Sequence, residues 1–346
     1  MNLASTLLAW YAVNKRELPW RGIKNPYHIW LSEIIMQQTR VEQGTPYYKT
    51  FVKHFPKVSD LAKAPEDQVL KLWQGLGYYS RARNLHAAAK YIHIELGGKF
   101  PKEYADILSL KGVGEYTASA IASFAYDKPH AVVDGNVYRF LSRVFGISTP
   151  IDSPAGKKEF KALADELLDK KDPGTYNQAI MEFGARYCTP HNPDCEQCVF
   201  RTTCVAREKK LVELLPVKAN KTKVRDRYFQ YLVIRYKSQT WIKQRGGKDI
   251  WEGLFDFPLI ESDKALTESQ IKKSPFWKKH LGKANASILK EPVVYKHILS
   301  HQRIYASFWE VEVKNKLNET DWTETPQSKL HEYAVPRLVD RYLEER

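Results

Sequence analysis

The sequence predicts a two-domain protein in which a mainly helical domain precedes a smaller α+β domain. Three observations lead there. The chain has 346 residues, 43% of them hydrophobic, more than one core usually serves. Up to about Cys204 the apolar residues recur at helical spacing, whereas from Tyr228 the pattern turns to short alternating or β-rich runs. Between these stretches, residues 206–227 carry eight Lys and Arg against three acidic residues, with a proline among them. That segment reads as a basic linker between a domain over 1–205 and one over 228–346.

Each element follows from a local pattern. Leu3, Leu7, Leu8 and Tyr11 fall on one helical face, as do Leu61, Val69, Leu72 and Trp73. Asn25-Pro26 supplies an N-cap followed by proline at the first helical position, ahead of Ile29, Trp30, Ile34 and Ile35. Glu33 therefore sits near the end of that helix's second turn. Strands are expected at Tyr231–Tyr236, Val293–Tyr295 and Ile304–Val313. No internal repeat or low-complexity stretch interrupts the chain.

No window approaches the roughly 20 consecutive apolar residues of a membrane span, and no charged-then-apolar leader follows Met1. A soluble, cytoplasmic protein is expected. The net charge of +14 and pI near 9.3 suggest a polyanionic partner. The basic linker suits a solvated connector and a DNA-contacting segment equally.

All four cysteines, Cys188, Cys195, Cys198 and Cys204, fall within one short stretch. In a reducing compartment such a group reads as a metal or iron-sulfur site, and zinc and a cubane cluster both accept four thiolates. Upstream, Leu110-Lys111-Gly112-Val113-Gly114-Glu115-Tyr116 can form a tight hairpin. Its backbone N–H groups at a helix N-terminus can hold a phosphate without reading sequence. About twenty residues further, Val132-Val133-Asp134-Gly135-Asn136 places a carboxylate in a mostly apolar turn. Asp134 suits a helix N-cap.

Together the 6-2-5 cysteine spacing, the hairpin and this Asp resemble the endonuclease III, or helix-hairpin-helix, superfamily of DNA glycosylases. The resemblance implies a [4Fe–4S] cluster on the four cysteines, DNA phosphate contacts at Gly112 and Gly114, and a catalytic role for Asp134. Members that also nick the backbone carry a Lys two residues after the second Gly, to form a Schiff base with the sugar. Tyr116 stands there, so little or no lyase activity is expected.

Leu18-Pro19-Trp20-Arg21, and Pro26 through Ile29-Trp30-Leu31-Ser32-Glu33 to Gln37-Gln38-Thr39, resemble the MutY-family adenine DNA glycosylases, which remove adenine mispaired with 8-oxoguanine. Apolar neighbours desolvate Glu33, which raises a carboxyl's pKa and lets it hold a proton near neutrality. The resemblance makes Glu33 the general acid at adenine N7. Asp134 then opposes the positive charge developing on the sugar, with Tyr116 and Asn136 orienting both. Trp20, Arg21, Gln38 and Thr39 become DNA or base contacts.

Gly75-Leu76-Gly77-Tyr78-Tyr79-Ser80 resembles the family's loop that wedges into the duplex, with Tyr78 beside 8-oxoguanine and Gln38 intercalating. Leu299-Ser300-His301 matches the family's Phe-Ser-His loop with Leu for Phe, leaving Ser300 and His301 as the polar readers. At Gln178 some members carry Glu.

The implied architecture is a helix-hairpin-helix glycosylase domain with an iron-sulfur loop, followed by a Nudix-like α+β domain that recognises 8-oxoguanine. The second domain lacks the acidic signature of nucleotide hydrolysis. The implied partner is duplex DNA with A:8-oxoguanine or A:G mismatches, bound by a monomer acting on chromosomal DNA. Two other readings compete: a glycosylase for oxidised pyrimidines, and a non-catalytic iron-sulfur protein that only docks on DNA.

Overall fold

The computed structural model describes residues 2–220, 223–247, 249–318 and 321–346. The chain forms two compact units: Met1–Lys63 with Asn84–Lys221, and Ala64–Arg83 with Thr222–Arg346. The linear division expected from the sequence keeps residues 64–83 with the helical half. Their contacts instead group them with the second unit.

Helices α1 (Leu3–Asn14), α2 (Pro26–Met36), α3 (Val41–His54) and α4 (Val58–Lys63) open the first unit. Helix α5 (Glu66–Trp73) lies in the second unit, and α6 (Ser80–Ile94) starts there and continues in the first. The first unit is completed by α7 (Tyr104–Ser109), α8 (Glu115–Tyr126), α9 (Gly135–Phe145), α10 (Pro154–Leu167), α11 (Pro173–Arg186) and α12 (Val205–Glu208). The stretch from Leu61 to Trp73, helical throughout in its spacing, is broken into α4 and α5. Pro65 takes an extended conformation and caps α5, since its ring disfavours helical backbone in the residue before it. At α2 the Asn25 side chain accepts from the Tyr27 and His28 N–H groups, with Pro26 next.

Helix α11 packs against α1, α8 and α9. Two glycines make the approach close: a Cβ at Gly174 would lie 2.8 Å from Ser123 O on α8, and one at Gly184 would lie 2.7 Å from Asn136 O on α9. Much of the expected linker is anchored rather than free. Ala206 and Leu215 are buried. Ile151 N–H donates to Val217 O, Arg143 Nε to Leu215 O, and the Ala219 and Asn220 N–H groups to the Asp152 carboxylate at 2.8 and 2.9 Å.

The second unit is built on a mixed sheet. Its strands are β1 (Arg225–Tyr236), β2 (Gln239–Gln244), β3 (Phe255–Asp256), β4 (Leu259–Ser262), β5 (Ala286–Ile288), β6 (Val293–Ile298), β7 (Gln302–Val313) and β8 (Thr323–Pro326). Helices α13 (Glu268–Lys273), α14 (Pro275–His280) and α15 (Arg337–Glu344) accompany it. The backbone of the sheet is the parallel pair β1–β7, with Tyr231 opposite Phe308, and β6 returns antiparallel onto β7. Alternation sorts the strand residues. Leu232, Ile234, Trp309 and Val311 join Trp241, Ile271 and Trp277 in one core. Tyr231 and Phe308 stack in the other direction, where Tyr342 of α15 lies on Phe308 at 4.2 Å between centroids.

The expected strands are the apolar parts of β1, β6 and β7. The first half of β1 is too polar to stand out, yet Arg227 and Gln230 are buried. Asp249 and Glu261 hold Arg227, and Trp309 Nε1–H donates to Gln230.

Replacing Gly184 by Ala should lower stability by about 1–3 kcal/mol, because the added methyl meets backbone on α9 that cannot step aside. Thermal unfolding of Gly184→Ala beside the parent protein measures this.

Candidate active site

Glu33 lies in the third turn of α2 among the buried side chains of Trp30, Leu31, Ile34 and Ile35, and is itself only 9% exposed. Tyr116, in the first turn of α8, donates its hydroxyl to Glu33 Oε2 at 2.7 Å. Burial pushes the Glu33 carboxyl up to about 7. The Tyr116 hydrogen bond and the charge of Arg21 act against that rise, and the charge of Asp134 adds to it. Burial and the adjacent Glu33 push the Tyr116 phenol well above its ordinary value, so it stays a donor.

Asp134 is the N-cap of α9. Its Oδ1 accepts from the Asn136 and Val137 N–H groups at 2.9 and 2.8 Å, and its Oδ2 from the Asn136 amide at 2.7 Å. Burial raises this carboxyl too, with those three donors and Arg139 acting the other way. The chain of bonds continues inward. Asn136 Oδ1 accepts from Arg139 at 2.9 Å, and Arg139 Nε donates to Cys188 O at 2.7 Å.

A third buried carboxylate belongs to Glu182 on α11, 1% exposed. Arg16 approaches it through Nε and Nη2 at 2.7 and 2.9 Å, and Arg21 through Nη2 at 2.5 Å. Burial alone would raise this acid, but the two guanidinium groups outweigh it and hold the carboxyl down at about 2. Sequence reasoning named Arg21 and missed Arg16, Glu182 and Arg139. The available signal was a Glu between Ile180 and Phe183 on the buried face of α11.

The hairpin residues divide their work. Gly112 has φ +81, and a Cβ there would lie 2.7 Å from Asn84 Cβ. Gly114 caps α8 with no side chain of its own and with open space around it, leaving the N–H groups of the first turn accessible. Trp20 is half-buried, edge-on to Tyr48. Gln38 is exposed just beyond α2 with φ +54, and Thr39 OH donates to Gln37 O.

The four cysteines are free thiols, half-buried around one cavity shared with Phe140, Arg143 and Phe183. Arg143 Nη1 lies 3.4 Å from Cys188 Sγ, and Phe200 N–H donates to Cys198 Sγ at 3.4 Å. Among the described residues no three His, Cys, Asp or Glu are grouped to hold a single ion.

In the second unit Tyr78 is 43% exposed with φ +49, and its hydroxyl is 2.5 Å from Ser300 Oγ at the β6–β7 turn. His301 is exposed beside it, and its carbonyl accepts from Arg225 N–H. Tyr78, Ser300 and His301 line one cavity with Trp251 and His297.

Residues 31–169 match the model of the HhH-GPD superfamily of base excision DNA repair proteins, and residues 230–345 match the NUDIX domain. An adenine DNA glycosylase of Buchnera aphidicola subsp. Schizaphis graminum is 33% identical over 342 residues, covering 98% of this chain and 96% of that one. The chain belongs to the adenine DNA glycosylase family. The family's mouse member is 42% identical over 214 residues, 59% of this chain and 42% of that protein. Among solved structures, a thermostable thymine-DNA glycosylase superposes with a TM-score of 0.56 at 31% identity, over 60% of this chain and 95% of that one. Endonuclease III bound non-covalently to DNA shares the fold, with a TM-score of 0.52 at 19% identity over 60% and 94%.

As a family member this protein is a DNA glycosylase of base excision repair. Among its described residues no helix is long and apolar enough to cross a membrane.

The raised Glu33 carboxyl has a stability consequence. Below the unfolded-state pKa the acid is protonated in both states and burial carries no charge penalty. As pH rises toward 7 only the unfolded state releases its proton freely, so stability falls. Glu33→Gln should therefore stabilise the protein at pH 8, by about 3 kcal/mol at most, and much less at pH 4.5. Urea denaturation at the two pH values checks the difference.

Proposed function

We propose that this glycosylase hydrolyses the N-glycosidic bond of adenine mispaired with 8-oxoguanine or guanine in duplex DNA. It does so without nicking the backbone itself, acting as a monomer on chromosomal DNA in the cytoplasm. The pairing of a protonated-range Glu33 with a donor-rich Asp134 carries the reading. Glu33 Oε2 is engaged by Tyr116, which leaves Oε1 to present a proton to N7 as the base departs. Asp134 keeps two backbone donors and the Asn136 amide on its carboxylate. It is thereby held as the anion that opposes, or transiently captures, an oxocarbenium-like sugar. Asn136 orients Asp134, and Tyr116 orients Glu33. A phenol at position 116 forms no imine, which supports a monofunctional enzyme.

Around that centre, Gly112 and Gly114 hold backbone phosphate at the start of α8. Trp20, Arg21, Gln38 and Thr39 contact the extruded base and the gap it leaves. Tyr78, Ser300 and His301 read the opposite base. In this reading the glycosylase domain spans 1–205, 206–227 connects the domains, and 228–346 is the recognition domain.

Cys188, Cys195, Cys198 and Cys204 suit a [4Fe–4S] cluster, since they surround one cavity and Arg143 faces it to offset the negative charge of a thiolate-bound cluster. The cluster would cross-link the 188–204 loop. The chain's own part is to hold that loop to α9 through Arg139 and Arg143.

Two experiments test the proposal. On duplexes containing A:8-oxoguanine, the parent protein should yield cleaved strands only after alkali, and Glu33→Gln should bind the duplex yet yield none. Strand cleavage without alkali, or turnover by Glu33→Gln, contradicts the assignment. Ser300→Ala and His301→Ala should slow excision from A:8-oxoguanine more than from A:G, each by about 1 kcal/mol in activation free energy, the scale of one lost hydrogen bond. Single-turnover rates on the two duplexes give the comparison.

A further inference from the structure

Helix α11 presents Gln178, Met181 and Glu182 at i, i+3 and i+4, on one face of the helix. Each meets a different part of the same wall: Tyr11 OH donates to Gln178 Oε1 at 2.8 Å, Tyr116 OH lies 3.9 Å from Met181 Sδ, and Glu182 grips Arg16 and Arg21. Arg21 is fixed from three sides. Its Nη2 is bound to Glu182, its Nη1 donates to Arg16 O at 3.0 Å, and its guanidinium lies over the Tyr11 ring at 5.5 Å.

A flexible side chain with several rotatable bonds is thereby held in one place, with its charge acting on Glu33. A buried carboxylate is expensive to desolvate unless paired, and apolar packing would serve a purely structural position more simply.

We propose that Glu182 is a positioning residue for base excision, holding the Arg21 guanidinium in the wall of the base pocket beside Glu33. The role rests on the adenine-excision reading above. Glu182 acts through Arg21 in two ways: it fixes the guanidinium's place, and it cancels one of the two positive charges near Glu33. The groups bearing on Glu33 are Tyr116 from α8, Asp134 from the start of α9, Arg21 from the loop before α2, and Glu182 through Arg21.

The test is a double-mutant cycle read by single-turnover excision from A:8-oxoguanine duplex. Glu182→Gln and Arg21→Gln should each slow excision tenfold or more, and the double variant should be no slower than the slower single one. The alkaline limb of the rate–pH profile of Glu182→Gln should move to lower pH, because an uncancelled Arg charge favours ionised Glu33. Glu182→Asp keeps the charge and guards against loss of fold. It should slow the parent protein but not the Arg21→Gln background.

Penalties that multiply in the double variant, an equal loss from Glu182→Asp in both backgrounds, or an unmoved profile in Glu182→Gln would each overturn the positioning role. Absence of adenine release by the parent protein would instead sink the adenine reading itself.

Discussion

The N-terminus of α9 leaves backbone N–H groups that no turn of helix precedes to satisfy, and Asp134 is the acceptor that meets two of them. A cap of this kind contributes about 1 kcal/mol. Its larger effect is positional: the same oxygen that caps the helix fixes the plane of a buried carboxylate. The remaining oxygen is held by Asn136, which is held by Arg139, which reaches the carbonyl of Cys188. Cap, carboxylate and cysteine loop thus share one path of hydrogen bonds. That path exists because Gly184 lets α11 approach the Asn136 carbonyl.

Three buried acids in the first unit show how environment, rather than residue type, sets protonation. Glu33 has one neutral hydrogen-bond donor and an apolar surround, and rises to about 7. Asp134 is as enclosed, yet backbone and amide donors restrain its rise. Glu182 is equally buried but meets two guanidinium groups, and falls to about 2. An acid that holds a proton, an acid poised as an anion and an acid that never gives up its charge therefore coexist within one fold.

The second unit solves a different problem, that of holding an exposed loop still. Residues 75–83 carry Tyr78 in a left-handed conformation that a bulky residue adopts only under constraint. The constraint is supplied around it: Arg83 binds the carbonyl and carboxylate of Glu252, Lys71 donates to Tyr333 O, and Gln74 donates to Asp340. Arg81 lies over both Trp73 and Tyr78.

Local chemistry was legible in the sequence wherever a residue's role depends on its immediate neighbours. Asn25-Pro26 announced α2, the apolar run around Glu33 announced its desolvation, Asp134 announced a cap, and four clustered cysteines announced a shared site. Alternation marked the apolar parts of β1, β6 and β7. Other features depend on residues far apart in the chain, and no local pattern encodes them. Residues 64–83 join the second unit because their partners lie at 244–345. The expected linker is pinned because Asp152 and Arg143 wait for it. Arg21, a surface-type residue by composition, is fixed because Glu182 lies 161 positions away in sequence and 2.5 Å away in space. Helical period and capping act over a few residues and can be read directly, whereas pairing of buried charges is decided only when packing removes the water that would otherwise solvate each one separately.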